Sequence, residues 1–188
     1  MNVPERKISP ATQMFQEAIG AAPGRGRMEG RHLLVVGAGQ RDTDDEEVAV
    51  GNGRAISLLA AREGARVACA DINQQSVQGT VDRITADGGQ ASALQVDVSD
   101  PQAISAMIEQ ARAAPGQLDA LVVNVGISHG LPLDKISAES WDKEHGINIR
   151  SHMLICQQAL RVMEPGSSIV LTSSLASQRP TGRNPAYE

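Results

Sequence analysis

Residues 33–39 read Leu-Leu-Val-Val-Gly-Ala-Gly, and this stretch is the strongest indication of architecture in the 188-residue chain. Four consecutive aliphatic residues are typical of a strand buried on both faces of a sheet, because a half-exposed strand alternates apolar and polar side chains. The two glycines that follow predict a turn in which the backbone can approach a ligand closely. The stretch therefore predicts a buried strand that leads into a binding turn.

Apolar runs of strand length recur along the chain and alternate with longer segments of helical periodicity. The predicted strands are residues 33–37, 66–70, 91–96, 118–124 and 168–172. The predicted helices are residues 54–63, 74–86, 101–113 and 137–163, the last with a break near Gly146. Strands that alternate with helices form βαβ units, so we expect an α/β protein with a parallel sheet and helices on both faces.

The first 27 residues differ in composition from the rest, with three prolines and the run Gly24-Arg25-Gly26-Arg27. This composition predicts that residues 1–27 form an N-terminal extension that is flexible or partly helical. Such an extension could be an arm that docks on a partner subunit or a disordered tail. Residues 28–188 are expected to form one domain.

The overall composition argues against nucleic-acid and membrane partners. The net charge is -5, and the aromatic residues are Phe15, Trp141 and Tyr187, so the chain has neither a basic surface nor a stacking platform for bases. No apolar run approaches the roughly 20 residues that a membrane-spanning helix needs. We expect a cytoplasmic protein that binds no nucleic acid and no membrane.

The sequence also predicts no metal site. Its histidines fit no metal-ligand spacing and are interpreted as incidental: His32, His129, His145 and His152. Cys69 and Cys156 lie singly in apolar segments, which is typical of buried, reduced thiols. The acidic residues within 42–47 predict a solvated surface loop, with a divalent-metal site as the alternative.

A second glycine cluster, Gly51-Asn52-Gly53, precedes the first predicted helix. Glycines between a strand and a helix allow backbone amides to approach a pyrophosphate, which then lies at the positive end of the helix. Asp71 ends the second predicted strand, eighteen residues after Gly53. A carboxylate there can accept hydrogen bonds from the adenosine ribose and repels a 2′-phosphate, so the pattern predicts NAD, with NADP less favoured.

On these residues the chain resembles the short-chain dehydrogenase/reductase family. The family motif T-G-x-x-x-G-x-G is matched by Gly37, Gly51 and Gly53, although Val36 replaces the threonine and about ten extra residues intervene. Residues 123–126 read Val-Asn-Val-Gly where the family has N-N-A-G. The resemblance implies a doubly wound parallel sheet, a Rossmann fold, with strand order 3-2-1-4-5.

The resemblance also implies roles for individual residues. The cofactor-binding set is Gly37, Gly51, Asn52, Gly53, Asp71, Ile72, Asp97, Val98, Asn124 and Gly126. Asp97 and its neighbour would hold the adenine ring, and Asn124 and Gly126 would lie against the cofactor ribose. His129 and Leu131 would line the substrate side.

The implied catalytic residues are Ser174, Tyr187 and Asn148. Tyr187 follows Ser174 by thirteen residues, and Asn148 follows Trp141 by seven, as in the family. Ser174 would hydrogen-bond the substrate oxygen, Tyr187 would exchange its proton, and Asn148 would hold a proton-relay water. The family lysine four positions after the tyrosine falls beyond Glu188, so further strand-helix units are expected past this residue.

The predicted function is NAD(P)-dependent hydride transfer between the nicotinamide and a small secondary alcohol or ketone, by a protein expected to be a homo-oligomer. The alternative is a catalytically silent dinucleotide-binding or interaction module. The substrate cannot be predicted from these residues.

Overall fold

The computed structural model describes residues 16–17, 20–40, 50–112 and 117–188. Within these ranges the main elements, in chain order, are β1 (His32–Val36), α1 (Asn52–Arg62), β2 (Arg66–Asp71), α2 (Gln74–Ala86), β3 (Gln90–Gln95), α3 (Pro101–Arg112), β4 (Ala120–Val123), α4 (Ala138–His145), α5 (Ser151–Ala159) and β5 (Ser168–Leu171). A π-helical turn, Gly146–Arg150, joins α4 to α5. Short 3₁₀ helices occur at Leu133–Lys135 and Leu175–Ser177.

The strands form a parallel sheet in the order β3-β2-β1-β4-β5, which confirms the predicted α/β fold and strand order. Leu34 of β1 is in register with Ala68 of β2 on one side and with Leu121 of β4 on the other. β2 and β3 lie on one side of β1, and β4 and β5 lie on the other. The connection that leaves β1 and the one that leaves β4 therefore run in opposite directions and diverge. Such a divergence opens a crevice at the carboxyl ends of the strands, where ligands of open α/β sheets bind.

The apolar run of β1 lies in the centre of the protein, between two hydrophobic layers. Leu34 and Val36 belong to the layer under α3 and α5, and Leu33 and Val35 belong to the layer under α1 and α2. All four are almost completely buried. Each such side chain stabilises the fold by about 1.5–3 kcal/mol through burial.

The predicted long helix over residues 137–163 is divided in the structure. Ser137 caps α4 by accepting a hydrogen bond from the backbone N–H of Ser140 at 3.2 Å. The π-helical turn begins at Gly146, at the predicted break, and α5 ends at Ala159. The extra residue in a π turn rotates the side chains that follow, and such turns are frequent at functional sites.

The described part of the N-terminal extension contacts the end of α1. The buried Glu63 carboxylate accepts backbone hydrogen bonds from Arg25 at 3.0 Å and Arg27 at 3.1 Å. The Arg27 guanidinium donates to the same carboxylate at 2.7 Å and is the main reason that the pKa of Glu63 falls to about 2. The domain boundary after residue 27 stays a prediction.

None of the helices in the described ranges is both long enough and apolar enough to cross a membrane.

Candidate active site

The turn after β1 brings three backbone segments into direct contact. Gly37 has a φ of +84°, and a Cβ there would lie 3.0 Å from the backbone of Asn124 at the end of β4. A Cβ on Gly53, in the first turn of α1, would lie only 1.8 Å from the carbonyl oxygen of Gly37. Glycine is needed at both positions, for its backbone conformation at Gly37 and for close approach at Gly53.

The two described ends of the insertion in the glycine motif meet. The backbone N–H of Gly51 donates to the side-chain oxygen of Gln40 at 3.1 Å. Residues 41–49, and with them the predicted acidic surface loop over residues 42–47, lie outside the described residues. The insertion therefore begins and ends at one point of the turn, and α1 still begins beside Gly37.

Asp71 lies at the carboxyl end of β2, where the glycine turn and the start of α2 converge. One carboxylate oxygen accepts the backbone N–H of Gly39 at 2.9 Å, and the other accepts that of Asn73 at 3.0 Å. A carboxylate has about four acceptor positions, so capacity for further hydrogen bonds remains. A Cβ on Gly39 would lie 2.7 Å from the Asp71 carboxylate. Gly39, which belongs to the predicted binding turn but not to the predicted cofactor-binding set, is therefore a residue of the site.

A cavity of roughly 250 Å³ opens at this edge of the sheet. Its walls are Val36, Gly37, Asp71, Ile72, Val96, Asp97, Val98, Asn124, Val125, Gly126, Ile127 and Ile147. Seven residues of the predicted cofactor set lie in these walls, from β1, β2, β4 and the loop after β3. Gly51, Asn52 and Gly53 lie instead at the start of α1, behind the glycine turn.

Asp97 and Val98 follow β3 and form one side of the cavity. Asp97 accepts the backbone N–H of Ser99 at 2.9 Å. Hydrogen bonds from Ser99, and the nearby charge of Lys143, lower the pKa of Asp97. Besides the side chain of Asp71, the cavity therefore contains that of Asp97, whose carboxylate is ionised at neutral pH.

Asn148 lies in the π-helical turn and holds the loop that follows β4. Its Oδ1 accepts the backbone N–H of Ile127 at 2.8 Å, and its Nδ2 donates to the Ile127 carbonyl at 2.8 Å. The carboxamide thus binds both backbone polar groups of one residue, the N–H and the C=O of Ile127. The predicted role of Asn148 in a proton relay stays a prediction.

Glu144, one helical turn before Asn148, was not selected from the sequence. Its side chain is buried, and its Oε1 accepts from the backbone N–H of His129 at 2.7 Å and contacts Nδ1 of the same residue at 2.8 Å. His129 is thus held by a buried carboxylate, a contact that the sequence analysis did not predict. Its expected place on the substrate side stays a prediction. The sequence could have indicated Glu144 through its spacing, because a residue four positions before Asn148 lies on the same side of a helix.

The predicted catalytic pair lies outside the cavity walls. The Ser174 hydroxyl accepts the backbone N–H of Ala176 at 3.2 Å at the start of the 3₁₀ helix Leu175–Ser177. The Tyr187 backbone N–H donates to the Asn184 carbonyl at 3.0 Å, and the residue is about one-third exposed. Within residues 117–188 no hydrogen bond joins the two hydroxyl groups. Their predicted roles stay predictions.

The segment that contains Tyr187 contacts the loop after β4 through another pair. Nδ2 of Asn184 donates to the hydroxyl oxygen of Ser128. The Glu188 carboxylate accepts from Thr181 and Gly182 within the same segment, and these bonds lower its pKa. The loop after β4 is therefore bound both to the π-helical turn and to the segment around Tyr187.

In the described ranges, no group of three or more His, Cys, Asp or Glu side chains is arranged to hold a metal ion. His152 contacts the Val125 carbonyl at 2.9 Å, and His145 stacks on Trp141 with ring centroids 4.3 Å apart. His32 is buried at the start of β1.

Known proteins share this sequence and this fold. The profile of a family described as enoyl-(acyl carrier protein) reductase matches residues 48–188. The chain is 32% identical over 155 residues to the uncharacterized oxidoreductase YxbG of Bacillus subtilis, covering 81% of this chain and 53% of YxbG. It is 30% identical over 156 residues to the D-threitol dehydrogenase of Mycolicibacterium smegmatis, covering 82% of this chain and 55% of that protein.

A crystal structure of a short-chain dehydrogenase from Mycobacterium smegmatis has the same fold, with a TM-score of 0.79 at 28% identity. The match covers 88% of this chain and 67% of that one. The chain spans about half the length of the curated relatives it matches. The resemblance predicted from the motifs is confirmed.

Proposed function

This chain belongs to the short-chain dehydrogenase/reductase family, and on that premise we propose that it forms the NAD-binding part of an oxidoreductase. The proposed reaction is hydride transfer between the nicotinamide and a small secondary alcohol or ketone. The observation that carries the proposal is the carboxylate of Asp71, fixed by Gly39 and Asn73 at the edge of a cavity beside the glycine turn.

The start of α1 fits a pyrophosphate. Gly51 provides no side-chain cap, and the first turn of α1 contains no acidic residue. The first N–H groups of a helix have no partner within the helix, and they form an anion site with the positive end of the helix dipole. Gly51 at the cap and Gly53 in the first turn add no side chains beside these N–H groups.

The residues around Asp71 favour NAD over NADP. A 2′-phosphate on the adenosine ribose would lie close to the Asp71 carboxylate, and like charges repel strongly at short range. Arg54 does not offset this repulsion, because its buried guanidinium donates to the Thr80 hydroxyl at 2.9 Å and to the Ser76 carbonyl at 3.0 Å. The cofactor that fits these groups is NAD.

The proposed chemistry divides between cofactor and protein. When bound, the nicotinamide accepts or donates the hydride. Ser174 would hydrogen-bond the substrate oxygen, and Tyr187 would exchange a proton with it. Asn148 would support the relay from the π-helical turn. Homo-oligomeric assembly and a cytoplasmic location stay predictions.

A silent dinucleotide-binding module is the second candidate. The observation that favours it is that Ser174 and Tyr187 lie outside the cavity walls, with the Ser174 hydroxyl engaged at the start of the Leu175–Ser177 helix. Formation of NADH from a panel of secondary alcohols separates the two candidates: turnover supports the oxidoreductase, and NAD binding without turnover in the full-length protein supports the module.

The cofactor assignment is tested by calorimetric titration of NAD and NADP into the parent protein and Asp71→Ala. Loss of hydrogen bonds to a charged acceptor costs about 1.5–3 kcal/mol, so the affinity for NAD should fall about tenfold or more and the preference over NADP should shrink. Asp82→Ala is the matched control, because Asp82 is an exposed carboxylate on α2 whose partner is Gln78. Tighter binding of NADP than of NAD by the parent protein would contradict the assignment.

A further inference from the structure

The loop after β4 is held by two side chains from one stretch of helix. Glu144 and Asn148 are four residues apart, so they lie on one side of the helix across the start of the π-helical turn. Asn148 binds the backbone N–H and C=O of Ile127, and Glu144 binds the backbone N–H and the imidazole of His129. Together they fix residues 127–129 at both ends.

Burial of the Glu144 side chain lowers the stability of the folded protein. It is 2% exposed, and its Oε2 has no hydrogen-bond partner among the described residues. A buried polar atom without a partner destabilises a protein, and apolar replacements of buried ionic groups are often neutral or stabilising. Stability of the fold alone therefore does not explain a carboxylate here.

The loop after β4 contacts the cavity on one side and the segment that contains Tyr187 on the other. Its first part, Asn124 to Ile127, forms one wall of the cavity at the end of β4. Its next residue, Ser128, is bound by Asn184 from the segment that contains Tyr187. A shift of the loop would therefore change the cavity and its distance from that segment together.

We propose that Glu144 is a positioning residue, whose buried carboxylate holds the loop after β4 through His129 at the spacing that the bound cofactor requires. This proposal rests on the proposed NAD-binding function. Glu144 is absent from the cavity walls, so its proposed effect on the cavity passes through His129 and the loop.

The experiment compares Glu144→Leu and Glu144→Gln with the parent protein. Leucine removes both oxygens but keeps an apolar side chain in a buried place, and glutamine keeps a carbonyl acceptor for the His129 N–H. The control is Asp142→Asn, an exposed carboxylate on the same helix. The readouts are hydrogen–deuterium exchange of the His129 amide without cofactor, the affinity for NADH, and the melting temperature.

For Glu144→Leu we expect the His129 amide to exchange about tenfold faster or more, because the hydrogen bond from this amide to the Glu144 side chain is lost. The affinity for NADH should fall by a similar factor, while the melting temperature stays within a few degrees of the parent value. Glu144→Gln should stay within about threefold of the parent in both exchange and affinity.

Three results would overturn the proposal. One is parent-like NADH affinity in Glu144→Leu despite faster exchange. Another is unchanged exchange of the His129 amide in that variant. The third is a large loss of melting temperature in both Glu144 variants, in proportion to the loss of affinity, which would indicate a purely structural role. A parent protein that binds no NADH would refute the proposed function instead, and the exchange data would still report whether Glu144 fixes the loop.

Discussion

Replacement of Gly53 by alanine should disturb the site through the backbone alone. The added Cβ would lie 1.8 Å from the carbonyl oxygen of Gly37, more than 1 Å inside the 3.0 Å limit that real Cβ contacts keep. Neither backbone segment can rotate away as a side chain would, so α1 must retreat from the glycine turn. Overpacking of this kind costs about 1–3 kcal/mol or more.

Alanine also has an intrinsic advantage of about 1 kcal/mol over glycine within a helix, which offsets part of this cost. Gly79→Ala isolates that advantage, because Gly79 lies inside α2 and, in the described part of the chain, its added Cβ would meet only the Arg54 side chain, at 3.5 Å. We therefore expect Gly79→Ala to stabilise the protein by about 0.5–1 kcal/mol and Gly53→Ala to destabilise it relative to that control.

Thermal unfolding measures both changes, since about 1 kcal/mol shifts the melting temperature by roughly 2–4 °C for a protein of this size. Titration of NAD then shows whether the displaced α1 still presents its N–H groups. Gly53→Ala should lose affinity, and Gly79→Ala should keep it. Equal melting temperatures for the two variants would refute the close contact between Gly53 and Gly37.

Two further predictions concern titratable groups away from the cavity. Because the pKa of Glu63 is lowered to about 2 from its ordinary value near 4.5, its contribution to stability is complete above pH 4.5 and is lost as the pH falls toward 2. Urea unfolding between pH 5 and pH 3 should show this loss, and Arg27→Ala should reduce it; an unchanged pH dependence in that variant would contradict the pairing. Burial raises the pKa of Cys69 to about 11, whereas Cys156 is only partly buried, so iodoacetamide should label Cys156 first. Mass spectrometry measures the labelling rate of each cysteine in the folded protein. Equal rates for Cys69 and Cys156 would argue against the burial of Cys69.

The sequence predicted the sheet because burial on both faces leaves a simple pattern. The run in β1 is apolar at every position from Leu33 to Val36, and both hydrophobic layers pack against it. Asp71 could be placed at the end of β2 because the strand pattern stops there. The break near Gly146 was predicted as well, although only the structure shows that it is a π-helical turn.

The contacts that shape the site were not predictable in this way. A glutamate in a helix is ordinarily exposed, so Glu144 carried no mark of burial until the path of the loop at His129 was known. The contact between Arg27 and Glu63 joins residues 36 positions apart and depends on how the extension crosses α1. The number of residues between Ser174 and Tyr187 likewise does not determine the distance between their hydroxyl groups.

The central claim is that the cavity beside Asp71 holds NAD. Hydrogen–deuterium exchange of the whole chain, with and without saturating NAD, tests it most directly, because protection is read at each backbone amide. We predict slower exchange at Gly37 and Gly39, at Ile72 and in the loop from Asn124 to Ile127. An exchange pattern unchanged by NAD, or protection confined to residues far from this edge of the sheet, would contradict the claim.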